Sequence, residues 1–221
     1  MKKTVITLAV VAFAAAAVQA TTNTSANIVG YSKSTSSTQY AIAANQFSGN
    51  DNPSEVFGSS YPVGTKIYVF SGGSYSTTEY IDTFDENFNA VQAWSPDTLT
   101  VTPGTGYWVE NNSGSEIEAI LAGEVSSEAS IETSLTTGLQ LISYPYPVAR
   151  TVSQMGFSPT VGDKIFVFNG SSYSTAEYID TFDENFNAVQ EWSPSTLSVG
   201  VGQGFWYEAN HGQIWTAVKP F

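Results

Sequence analysis

The chain has 221 residues, 42% of them hydrophobic and 14% aromatic, with only 12% charged. That composition excludes an intrinsically disordered chain, which lacks the apolar residues to offset its ordering entropy, and it excludes a coiled coil or a charged helical bundle. Twenty acidic residues stand against seven basic ones, and there is no cysteine, so nucleic-acid binding is disfavoured and disulfides, thiol nucleophiles and cysteine-ligated metals are excluded.

The first twenty residues read as a bacterial secretory signal peptide. Lys2 and Lys3 form a positive start, Val5 to Ala17 an apolar stretch, and Val18-Gln19-Ala20 a small-residue cleavage site before Thr21. The apolar stretch is too short to favour spanning a bilayer. The expectation is a secreted protein, extracellular or periplasmic, with no membrane insertion after cleavage. Lys33, Lys66, Arg150, Lys164 and Lys219 would then face twenty carboxylates, a net charge of −15.

In chain order, Ile28 to Ser32 and Tyr40 to Ala44 read as strands, followed by a short helical turn at Pro53 to Gly58 that Asn52 can cap. Lys66 to Phe70, Ser71-Gly72-Gly73-Ser74 and Tyr75 to Ile81 form a β-hairpin signal: β-branched and aromatic runs around a glycine turn. Between Ile81 and Val91 two readings stay open. Ile81, Phe84, Phe88 and Val91 recur at helical spacing, whereas Asp82-Thr83 and Asn87 to Asn89 favour strand–turn–strand. Pro103 to Gly106 marks a turn before the strand Tyr107 to Glu110, and Glu116 to Gly123 reads as another strand. Gly104, Gly106, Gly202 and Gly204 are read as structural, with at least one of each pair at positive φ.

These elements then recur. Lys66 to Asn112 repeats as Lys164 to Asn210, with 34 of 47 positions identical and the run Glu79 to Gln92 unchanged as Glu177 to Gln190. The second copy replaces the hairpin turn with Asn169-Gly170 and places a second helical turn near Thr151 to Gly156. Flanking similarity aligns Ala41-Ile42-Ala43 with Leu141-Ile142-Ser143, and Glu116-Ile117-Glu118 with Gln213-Ile214-Trp215. The expected architecture is all-β: a signal peptide over 1–20, then two homologous sandwich- or barrel-like β-domains over 21–124 and 125–221, abutting without a linker.

Several motifs carry a resemblance. The opening Asn27-Ile28-Val29-Gly30-Tyr31, the repeated Lys-Ile-aromatic-Val-Phe-x-Gly hairpin, Trp-Ser-Pro followed by Gly-x-Gly-aromatic-Trp, and the closing Ile214-Trp215-Thr216 resemble a group of secreted bacterial two-repeat β proteins. That resemblance implies secretion and a duplicated β fold. The group has no assigned activity, so no catalytic residue carries over, and the Asp82 to Asn89 insert departs from its pattern.

Two residue sets could carry function. Asp82, Asp85, Glu86 and Asn87, repeated as Asp180, Asp183, Glu184 and Asn185, offer hard oxygen ligands of the kind Ca²⁺ takes, although the spacing is not that of an EF-hand loop. The plain alternative is a solvated polar turn. The aromatics come second. Strand alternation puts Tyr107 and Val109 on one face and Trp108 and Glu110 on the other, with Phe205 and Tyr207 opposed to Trp206 and Glu208 in the second copy. If exposed, Trp108 and Trp206, with Trp94 and Trp192, could form a carbohydrate platform; otherwise they are core or inter-domain packing. Paired carboxylates such as Glu110 and Glu208, or Asp82 and Asp85, are what glycoside hydrolysis would need, but an acidic chain supplies such pairs by chance. His211, the sole histidine, reads as a surface loop residue. The expectation is a non-catalytic extracellular protein with a structural or binding role and no cofactor beyond Ca²⁺. Its partner would be a polysaccharide or a cell-surface protein.

Overall fold

The computed structural model describes residues 28–36, 39–49 and 51–221. The expected signal peptide lies outside the described residues. The fold is all-β.

The first half contains β1 (Ile28–Ser36), β2 (Tyr40–Ala44), helix α1 (Pro53–Phe57), β3 (Lys66–Ser71), β4 (Ser74–Phe84), β5 (Ala90–Ser95), β6 (Gly106–Glu110) and β7 (Ile117–Val125). The second contains β8 (Ser130–Leu135), β9 (Gly138–Ser143), β10 (Arg150–Thr151), a 3-10 turn at Val152–Gln154, β11 (Lys164–Phe168), β12 (Tyr173–Phe182), β13 (Ala188–Ser193), β14 (Ser198–Val199), β15 (Gly204–Ala209) and β16 (Gln213–Val218). Asn52 caps α1 as its sequence suggested, accepting from the Glu55 amide at 2.9 Å.

Two five-stranded antiparallel sheets share one strand order: β2-β6-β3-β4-β5 and β9-β15-β11-β12-β13. Each half adds a two-stranded ribbon, β1 with β7 and β8 with β16. One face of each sheet, carrying Ile67, Tyr107 and Val109 in the first and Ile165, Phe205 and Tyr207 in the second, is fully buried. Together with buried residues of both ribbons these form one continuous apolar cluster, so the halves abut as expected.

The register corrects one alignment. Trp108 pairs with Ile42, and Trp206 pairs with Leu141. Ile42 therefore corresponds to Leu141 rather than Ile142, a slip of one residue that would have put the wrong side chains on the outer face.

The two readings of 81–91 resolve to strand–turn–strand. Residues Asp85 to Asn89 form the tip between β4 and β5, closed by Asp85 N–H to Asn89 C=O at 3.0 Å and Phe88 N–H to Asp85 C=O at 3.0 Å. The helical spacing of Phe84, Phe88 and Val91 reports no buried stripe, because all three side chains are exposed. Phe88 and Phe186 adopt φ 61°, the left-handed position that such a hairpin loop ordinarily gives to glycine.

The glycine pairs join the halves. Gly104 and Gly202 have φ 92° and 71°. Their carbonyls accept from Ser143 N–H at 2.8 Å and Ala44 N–H at 3.0 Å, a reciprocal pair across the junction. A Cβ on Gly106 would lie 2.6 Å from the Ile142 carbonyl oxygen, and one on Gly204 2.7 Å from that of Ala43, so only glycine lets the two backbones meet here.

Candidate functional site

The acidic tips come first. In the first copy the Asp85 carboxylate accepts from Asn87 N–H and Asn89 N–H, both at 2.8 Å, and from the Asn89 side-chain amide at 2.9 Å. Asp183 repeats the arrangement with Asn185 and Asn187. These bonds, led by the Asn89 and Asn187 side chains, hold both carboxyls below the ordinary aspartate range. Asp82 and Asp180 instead accept from the Gln92 and Gln190 amides on the neighbouring strand. These four aspartates thus have partners within their own hairpins, Glu86 and Glu184 are exposed, and among the described residues no three carboxylate, histidine or cysteine side chains group as metal ligands.

The tryptophans separate into two sets. Trp94 and Trp192 are 3% and 6% exposed, facing inward among Tyr80 and Phe57 in one half and Tyr178 and Phe157 in the other. Trp94 donates its indole N–H to Gly58 C=O at 2.9 Å. Neither can stack on a ligand, which corrects their place in the expected carbohydrate platform: the strand phase of β5 and β13 points them into the core. Trp215, buried, donates to Met155 C=O at 2.7 Å.

Trp108 and Trp206 lie on the outer faces, as alternation predicted. They also knit the two sheets together: Trp108 meets Phe168 at 5.1 Å, and Phe70 meets Trp206 at 5.0 Å. The packing reading and the platform reading therefore describe the same residues. Trp206 is 9% exposed, whereas Trp108 is only half-buried.

Around Trp108 the surface opens into an apolar groove of about 420 Å³ lined by Tyr40, Tyr68, Tyr75, Trp108 and Phe168. The cross-strand pair Tyr68–Trp108 brings two of its rings side by side. At its side the Tyr68 hydroxyl donates to Glu110, which also accepts from the Asn112 amide at 3.2 Å. Burial first, and then the Glu110 carboxylate, push the Tyr68 phenol far above the ordinary tyrosine range.

The second sheet lacks this groove's chemistry. Phe166 stands where Tyr68 does, each paired with its tryptophan, and Leu139 stands where Tyr40 does, each opposite its glutamate. The Tyr40, Tyr68 and Tyr75 contribution was missed in the sequence. For Tyr68 the signal was there, in its replacement by Phe166 inside the repeat, whereas Tyr75 recurs unchanged as Tyr173. A larger cavity of about 840 Å³ between the halves is lined by serines and threonines together with aliphatic side chains such as Leu99, Ile131, Leu141 and Ile142, with Phe70 as its one aromatic residue. His211 receives or gives a hydrogen bond to the Thr160 hydroxyl at 3.0 Å on the surface.

Compared with known proteins, the chain matches no family model, no curated protein and no solved structure. Among the described residues no helix is long and apolar enough to cross a membrane.

Proposed function

We propose that this is a secreted, non-catalytic extracellular protein with a binding role, and that its binding surface is the outer aromatic face centred on Trp108. The observation that carries this reading is the open groove of Tyr40, Tyr68, Tyr75, Trp108 and Phe168 on a chain that buries its other tryptophans. A concave apolar site with a few convergent polar groups is the usual form of a ligand site. The signal-peptide pattern supports export, and the acidic surface directs the protein away from phosphate-bearing partners.

The test is retention on particulate extracellular material from bacterial cultures. Wild-type protein should be retained, and Tyr75→Ala and Trp108→Ala variants with unchanged circular dichroism should be lost. Equal retention of all three would contradict the reading.

A second reading, a structural component that docks through its hairpins, is favoured by one observation. Phe88 and Phe186 are each 87% exposed at hydrogen-bonded tips that are identical in the two copies. A Phe88→Ser, Phe186→Ser double variant that loses retention while Trp108→Ala keeps it would move the function to the tips.

A further inference from the structure

The aromatic face is longer than its groove. From Tyr40 the ring centroids step 6.2 Å to Trp108, 5.1 Å across the junction to Phe168, 5.1 Å to Tyr173 and 6.3 Å to Phe166. A reciprocal path steps 6.3 Å from Tyr68 to Tyr75, 5.0 Å to Phe70 and 5.0 Å to Trp206. Both paths cross from one sheet to the other. Tyr40, Tyr75 and Tyr173 are exposed along them.

We infer that this face binds an uncharged polysaccharide whose sugars are joined into an extended chain with their ring hydroxyls equatorial. The inference rests on the binding reading above and names its ligand class.

Three features select that chemistry. A pyranose with equatorial hydroxyls presents a flat C–H face, which the tyrosine and tryptophan rings can cover, and a hydroxyl edge that needs partners. The Tyr68–Glu110 pair supplies such a partner. With its O–H donating to Glu110, the Tyr68 oxygen is left to accept from a sugar hydroxyl, and the carboxylate is a second acceptor. The surface charge disfavours uronic, sulfated or phosphorylated chains. The rings lie over both sheets, set edge to face so that exposed ones offer separate stacking positions, which suits a chain of several sugars better than a single one. The paired hydroxyl and carboxylate stand only at the first-copy end, because Phe166 has no hydroxyl to set beside Glu208. The first copy therefore anchors the chain, and the second adds mainly stacking.

The experiment is affinity electrophoresis of the mature protein through gels containing hydroxyethyl cellulose or xylan, with galactomannan as a neutral comparator that carries axial hydroxyls and alginate and chitosan as anionic and cationic comparators. Hydroxyethyl cellulose or xylan should retard the wild type at both low and high salt, and more than galactomannan does. Trp108→Ala should lower its association constant about tenfold or more, as loss of a central aromatic anchor does. Tyr68→Phe, which keeps the ring and removes the hydroxyl, should lower it several-fold. Tyr75→Ala, at an exposed position, serves where Trp108→Ala disturbs folding, and it too should weaken binding.

No retardation by hydroxyethyl cellulose or xylan overturns the inference, as does retardation that Tyr75→Ala and Tyr68→Phe leave unchanged. Retardation by chitosan alone, abolished by salt, also overturns it and marks simple charge attraction. If extracellular material still retains the wild type through Tyr75 and Trp108 while the neutral chains do not, the binding face stands and its ligand is of another class. If those variants change neither measurement, both readings fail.

Discussion

The two sheets share their strand order and much of their sequence, yet they differ at two places that matter. On the outer face the first sheet carries Tyr40 and Tyr68 where the second carries Leu139 and Phe166. On the inner side the second sheet buries Asp163 where the first has Thr65. Asp163 accepts from the Tyr207 hydroxyl at 2.7 Å, Asn210 N–H at 2.8 Å and Thr160 N–H at 3.1 Å. Thr65 is equally buried but makes no such network. The second half has thus gained a polar lock inside, and the first displays hydroxyls outside. A repeated fold holds the architecture constant, so differences within it separate what the fold requires from what one copy does.

Removing the lock should have one of the two largest effects. Asp163→Ala leaves the buried Tyr207 hydroxyl with only the Gln213 amide that donates to it and removes the acceptor of Asn210 N–H, and should lower stability by about 2 kcal/mol, whereas Thr65→Ala should cost less than about 1 kcal/mol. Urea denaturation midpoints check both, and equal losses would erase the distinction. A comparable loss is expected at the side chain that joins the halves. Gln46, buried, accepts from Gly202 N–H at 2.8 Å and donates to Tyr144 C=O and Tyr146 C=O, each at 2.9 Å. Gln46→Ala should cost about 2 kcal/mol by leaving those groups unmet. If the halves unfold in separate transitions afterwards, this contact is what couples them.

A smaller change sharpens the outer comparison. Phe166→Tyr with Leu139→Tyr gives the second sheet the hydroxyls of the first. The double variant should gain affinity for the neutral chain by a few-fold, seen as greater retardation in the same gels. No gain would mean that the groove's depth, and not its hydroxyls, sets the site. The smallest effect lies where the copies agree. Asp85 and Asp183 should both titrate below the ordinary aspartate value of about 3.9 by NMR. Because their folded values are depressed, their support for the turns is present above that ordinary value and is lost as pH falls through the depressed ones. Either carboxyl titrating at or above the ordinary value would contradict the hydrogen-bonded turn.

Much of this was legible in the sequence. The hairpin at Gly72-Gly73 follows from turn chemistry, since both residues need positive φ. The opposition of Tyr107 to Trp108 follows from strand alternation alone. What alternation cannot tell is which face meets solvent when both faces are aromatic, and that left Trp94, Trp108, Trp192 and Trp206 grouped together. The groove depends on Phe168 arriving from the other half, a contact made across the junction that no local pattern encodes. The acidic run allows two readings in the sequence, a Ca²⁺ ligand set and a polar turn, and Asp85 accepts from the loop's own amides as a turn residue does. Phe88 stays unexplained by turn chemistry, since glycine would fit its φ with less strain.

The most direct measurement is ¹⁹F NMR of protein labelled with fluorotryptophan, titrated with a soluble cello-oligosaccharide. Its five tryptophans are placed by the fold as reporters: Trp108 in the groove, Trp206 at the far side of the junction, and Trp94, Trp192 and Trp215 inside the core. The Trp108 resonance should move most and Trp206 less, with the three core signals unmoved. A Trp108 signal that stays fixed while ligand binds, or while a core tryptophan shifts, would contradict an aromatic binding face centred on the first sheet.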